Sequence, residues 1–232
     1  ELLARLPEQQ RSPWHARSQR PSPVPPAGDE IAVHELAAAL VATTEGHATT
    51  LARAPLSWAG DYWPIHDPLD SLGYDGGGGI GSGPGMAVGA ALALRDGKRL
   101  VVAVLGDGDY LMGVTALWTA AQHKLPLLIV IANNRSFYND EIHQERVAIL
   151  RNRPVENKWI GQAIRDPDID LAAMARAQGA MGFGPVVDRA DLRPVLREAL
   201  KGAAHGPVVV DVRVAGGYAP SMTAALSREE ER

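Results

Sequence analysis

"LVVAVLGDGDYLMGVTALWTAAQHKLPLLIVIANN", residues 100–134, holds two uninterrupted apolar runs, 100–105 and 127–132, on either side of a helical stretch, 113–123. A short run without polar alternation is what a strand buried on both faces of a parallel sheet requires. Outward from this pair the same alternation continues. Residues 31–43 are apolar at helical spacing behind an Asp29-Glu30 start, and 48–53 suit a short strand. Residues 84–94 form a helix of small side chains, 170–178 and 191–204 two more helices, and 186–187 and 207–214 two further strands. Strands alternating with helices predict an α/β fold, doubly wound, with a mostly parallel sheet and helices on both faces. In such sheets ligands bind outside the carboxyl ends of the strands. The residues after 105 and after 132 are therefore the ones to read for function.

Composition sets the bounds. The chain has 232 residues, 46% of them hydrophobic and 22% charged, as in an ordinary globular protein, and is long enough for one large domain with a well-developed core or two small ones. A net charge of −4 gives no reason to expect nucleic acid or an anionic membrane as partner. There is no cysteine, which excludes disulfides, thiolate metal sites and cysteine nucleophiles. No apolar run reaches the roughly eighteen residues that span a bilayer. With no signal peptide visible, a cytoplasmic chain is expected. Residues 1–28 contain Pro13, Pro21, Pro23, Pro25 and Pro26 and read as a linker or arm. The binding domain is expected over 29–216 and a charged tail over 217–232. Glu1 in place of Met is compatible with a fragment, a processed product or the ordered part of something longer.

The first apolar run ends in Gly106-Asp107-Gly108-Asp109, which leads into a helix. Glycines let backbone approach a ligand, and a helix start offers free N–H groups and positive potential, a setting for phosphate. A carboxylate beside phosphate is repulsive unless a cation lies between them. Mg²⁺ fits, because it takes hard oxygen ligands and completes its octahedron with phosphate oxygens. The second run ends in Asn133-Asn134-Arg135-Ser136, which supplies neutral amide and carbonyl oxygens. Each motif alone is a common turn sequence. Together, each closing a buried strand, they carry weight.

At this spacing the Gly106-Asp107-Gly108 and Asn133-Asn134 pair resembles the motif of thiamine diphosphate enzymes. The segments 76–94, "GGGGIGSGPGMAVGAALAL", and 116–126, "ALWTAAQHKLP", are similar to the acetolactate synthase, pyruvate decarboxylase and benzoylformate decarboxylase branch. The resemblance implies Mg²⁺ on Asp107, the Asn134 side chain and the Ser136 backbone carbonyl. It implies cofactor contacts from Ser57, Gly78, Ile80, Gly106, Gly108, Asp109, Ser136 and Phe137. Ile80 would prop the cofactor in a bent form, and the Gly78 carbonyl would accept from its pyrimidine amino group. Asp109 departs from the family, where a hydroxyl residue is common. Asp140 and His143, with Asn139, fall where relatives place substrate-facing groups, although a solvated helix turn suits them equally. The implied substrate is a 2-oxo acid, acted on by decarboxylation or carboligation. The glutamate-bearing, pyrimidine-binding domain of the family has no counterpart in this sequence. It would belong to another chain or to a missing upstream segment, which implies a homo- or hetero-oligomer. A non-catalytic cofactor-binding or regulatory module is the alternative. A nucleotide-binding reading of 76–85 is disfavoured by the absence of a clear preceding strand.

Overall fold

The computed structural model describes residues 28–73 and 79–217. Apart from Gly28 and Gly217, the expected arm and tail lie outside these residues, as does Gly78.

Among the described residues five strands form one sheet: β1 (Thr49–Arg53), β2 (Leu100–Gly106), β3 (Leu127–Asn133), β4 (Met181–Val186) and β5 (Pro207–Arg213). Their order is β1-β2-β3-β5-β4, and every pairing is parallel. The helices are α1 (Val33–Thr44), α2 (Ser82–Ala93), α3 (Asp107–Gly113), α4 (Ala116–Gln122), α5 (Tyr138–Leu150), α6 (Leu171–Ala177) and α7 (Arg189–Ala203). The expected α/β fold with a parallel core is therefore the observed one.

The alternation of strand side chains sorts the core into two layers. Val102, Val104, Leu128, Val130, Val208 and Val210 pack toward α1 and α7, against Leu36, Leu40, Leu196 and Ala199. Val101, Ala103, Leu105, Leu127, Ile129, Ile131 and Val209 pack toward α2, α4 and α6, against Ala87, Ala91, Leu117 and Ala175. Helix α2 has the small side chains that close packing needs. A Cβ on Gly83 would lie 2.7 Å from Leu105, and one on Gly113 of α3 would lie 2.4 Å from the Gly81 carbonyl. Glycine at these two positions thus lets α2, α3 and β2 approach closely.

Three details differ from the sequence reading. The helix expected over 113–123 is the shorter α4, and the helix expected after Gly106-Asp107-Gly108-Asp109 is α3, separated from it by Val114-Thr115. The strand expected at 186–187 begins at Met181, and Val187 lies beyond it. Gly182, Gly184 and Pro185 mask it, yet glycine is required there, since a Cβ on Gly182 would meet the Ala172 carbonyl at 2.2 Å. Residues 138–150 form a full helix, α5, rather than a single turn, and it buries none of its side chains. A helix without a buried stripe gives no periodic signal.

Candidate functional site

The adjacent strands β2 and β3 stop in register, Gly106 opposite Ala132, so the two motifs emerge side by side. Asp107 is the first residue of α3 and is only 2% exposed. Its Oδ1 accepts from the Gly108 N–H at 3.0 Å and its Oδ2 from the Ser136 N–H at 3.0 Å. The Asn134 Oδ1 accepts from that same Ser136 N–H, also at 3.0 Å. Two oxygens, one anionic and one neutral, therefore converge on one small volume from different strand ends. Burial pushes the Asp107 carboxyl up to about 6, although the N–H groups of Gly108 and Ser136 pull the other way. Such a site favours an added cation.

The loop after β3 is made of two consecutive Asx turns. Asn133 Oδ1 accepts from the Arg135 N–H at 3.1 Å, and Asn134 Oδ1 from Ser136 as above. Between them Arg135 has φ +58°, a left-handed conformation unusual for a residue with a Cβ. From outside, the loop is held by an antiparallel bridge between Ser136 and Ala163, flanked by Phe137 N–H to Gln162 O, 2.9 Å, and Ile164 N–H to Arg135 O, 2.7 Å. The Ser136 hydroxyl donates to Glu141 of α5.

Phe137 lies over Gly108, where an added Cβ would meet its ring at 2.2 Å. Gly108→Ala is therefore expected to displace the Phe137 ring and cost about 1–3 kcal/mol, read as a lowered denaturant midpoint. An unchanged midpoint would mean that the ring moves freely.

Asp109 turns away from Asp107. Its Oδ1 accepts from the N–H groups of Gly81, 2.6 Å, and Gly83, 3.1 Å, at the start of α2, and Oδ2 lies 3.7 Å from Arg53 Nε at the end of β1. This carboxylate ties three segments together, a role that the local motif does not display. Ile80, in the turn before α2, is 50% exposed. Ser57 is half-buried in the turn after β1. Asp140 and His143 sit in the first turns of α5, half-buried and exposed respectively. Sequence reading gave no role to Asn133 beyond its place in the motif, and none to Glu141 or Asp211. Burial raises the Asp211 carboxyl, and its Oδ1 accepts from Asn133 Nδ2 at 2.8 Å. Among the described residues, no group of three His, Cys, Asp or Glu side chains is placed to hold a metal. A cation at Asp107 would thus depend on one carboxylate plus neutral oxygens.

Residues 55–212 match the family "Thiamine pyrophosphate enzyme, C-terminal TPP binding domain", thiamine pyrophosphate being thiamine diphosphate. The chain belongs to this family. This thiamine diphosphate-binding domain is 32% identical over 143 residues to benzoylformate decarboxylase of Pseudomonas aeruginosa, covering 58% of the chain and 23% of that enzyme. It is 31% identical over 225 residues to the acetolactate synthase isozyme 1 large subunit of Escherichia coli, covering 92% of the chain and 37% of that subunit. A thiamine diphosphate-dependent 4-hydroxybenzoylformate decarboxylase from Rhodococcus jostii RHA1 superposes with a TM-score of 0.69 at 26% identity, over 90% of the chain and 37% of that protein. The domain therefore spans about a quarter to a little over a third of the proteins it matches. Among its described residues no helix is long and apolar enough to cross a membrane.

Proposed function

We propose that the chain is the diphosphate- and Mg²⁺-binding component of a thiamine diphosphate-dependent 2-oxo acid decarboxylase or carboligase. The carrying observation is the convergence of Asp107 Oδ2 and Asn134 Oδ1 on the Ser136 N–H. Ser136 sits in a bridge whose two hydrogen bonds belong to its neighbours, so its own N–H faces the Asp107 side. In extended backbone the C=O of a residue points the same way as its N–H. Asp107, Asn134 and the Ser136 carbonyl would then form three protein corners of an octahedron, leaving the others to phosphate and water. Gly106, Gly108 and the Asp109 N–H would face the diphosphate at the start of α3. When bound, the cofactor supplies a carbon nucleophile for the substrate carbonyl. Ile80 and Phe137 would exclude water beside it, and Ser57 would offer a hydroxyl to the diphosphate.

The same reading needs a second domain to supply the pyrimidine side and much of the substrate pocket, in an oligomer. Helix α5 supports this, because it follows the metal loop directly, has no fully buried side chain, and leaves Val147, Ile149 and Leu150 exposed. Asp140 and His143 would border the substrate from its first turns, with Asp140 placed for proton exchange. The relatives' printed names point to 2-oxo acids such as benzoylformate. Titration calorimetry of the chain with thiamine diphosphate should show binding that requires Mg²⁺, and the isolated chain should not turn over pyruvate or benzoylformate. Binding indifferent to Mg²⁺ would remove the metal assignment. Turnover by the isolated chain would remove the need for a partner domain, and binding without turnover beside any such domain would favour a regulatory module.

A further inference from the structure

Asp211 stands in the middle of β5, fully buried between Val210 and Val212, where a valine would serve packing better. A carboxylate kept in such a place costs desolvation free energy and calls for a reason. Among the described residues its side chain hydrogen-bonds to one group, that of Asn133, the last residue of β3, which donates from Nδ2 to Oδ1 at 2.8 Å. An amide side chain has a donor end and an acceptor end, so an acceptor on one side dictates what faces the other. With Nδ2 held by Asp211, the Asn133 oxygen must face the loop, and there it accepts the Arg135 N–H at 3.1 Å. Were the amide reversed, its NH₂ would confront that N–H, donor against donor. Arg135 is the left-handed residue of the loop, and a non-glycine residue holds that conformation only where its surroundings compensate the strain. The next N–H along, Ser136, is the one shared by Asp107 and Asn134.

We propose that Asp211 is a positioning residue for the metal loop: by orienting the Asn133 amide it holds Arg135 left-handed, and so sets Asn134 and Ser136 beside Asp107. The positioning claim stands on the geometry of the loop, while its effect on cation binding rests on the function proposed above. Asp211 touches neither Asp107 nor Asn134 through a hydrogen bond, and acts through Asn133.

Amide hydrogen exchange on the full chain without cofactor tests the first part. Asp211→Ala should speed exchange at Arg135 and Ser136 about tenfold, the size of one buried hydrogen bond, while the centre of β3 at Ile129–Ile131 stays protected. Asp211→Asn, which still offers an acceptor to Asn133, should keep both amides near wild type. Unchanged protection in Asp211→Ala, equal loosening of all of β3, or loss in Asp211→Asn as large as in Asp211→Ala would each overturn the proposal. Should Asp211→Ala not fold, the exchanged pair Asn133→Asp with Asp211→Asn restores both hydrogen bonds, the one between the two side chains with donor and acceptor exchanged and the one from the Arg135 N–H in its original direction. That pair must protect Arg135 for the proposal to survive. Calorimetry with Mg²⁺ and thiamine diphosphate should then show affinity about 10–100-fold weaker in Asp211→Ala than in wild type. If wild type binds no cofactor, the functional reading fails, and the exchange result still decides the positioning role.

Discussion

Asp107→Ala is expected to abolish Mg²⁺-dependent binding of thiamine diphosphate while leaving the chain folded. Asp107 is the single acid in the proposed donor set, the other two members being an amide and a backbone carbonyl. Loss of an outer partner of a metal ligand commonly costs about 10–100-fold in affinity, and loss of the ligand that carries the charge should cost more. The fold should tolerate the change. The start of α3 gives up one favourable carboxylate, about 0.3–1 kcal/mol, and also sheds a group whose charged form burial disfavours. Calorimetric titration at matched Mg²⁺ reads the outcome. Wild-type affinity in the variant would mean that the cation is held by other groups.

The second large effect concerns pH in the chain without cofactor. Burial lifts the Asp107 carboxyl from 3.8 to about 6. Between those values the folded chain holds a proton that the unfolded chain has released, so stability falls as pH rises through this window. Below the lower value the contribution is complete, and above about pH 6 it is gone. A shift of about two units corresponds to about 3 kcal/mol, an upper figure for one group. Asp107→Asn keeps the shape and removes the titration. The difference in unfolding free energy between variant and wild type should therefore grow from about pH 4 to pH 6 and then level off. Cation binding runs the opposite way, since it needs the carboxylate and weakens below about pH 6. Denaturant melts of both proteins across that range measure the difference, and a constant gap would show that Asp107 keeps its ordinary acidity.

The sheet was readable because β2 and β3 are uninterrupted apolar runs that have no other place to go. Asp107 and Asn134 were readable because each closes such a run. What stayed hidden depends on contacts between distant residues. Asp109 looks like a member of the Gly-Asp-Gly turn, yet its carboxylate is occupied with the N–H groups of Gly81 and Gly83, 26 to 28 residues earlier. Asp211 reads as an interruption of a valine strand until Asn133, 78 residues before it, is placed alongside. The full length of helix α5 stayed hidden for the converse reason: none of its side chains is fully buried, so no apolar stripe stamps a period on its sequence.

Helix α5 and the loop before it share a seam. Phe137 O accepts the N–H groups of Asp140 and Glu141 at the helix start, and the Ser136 hydroxyl meets Glu141 from the loop side. A ligand gripped through Ser136 and a protein laid along the exposed side chains of α5 would thus both engage one short segment. If each orders that segment, thermodynamic reciprocity makes each raise the affinity of the other by the same factor. Loading and assembly would then be one equilibrium viewed from two ends. Sedimentation across a concentration series, with and without thiamine diphosphate and Mg²⁺, would show the association midpoint moving with the ligand. A midpoint indifferent to the ligand would leave the two events uncoupled.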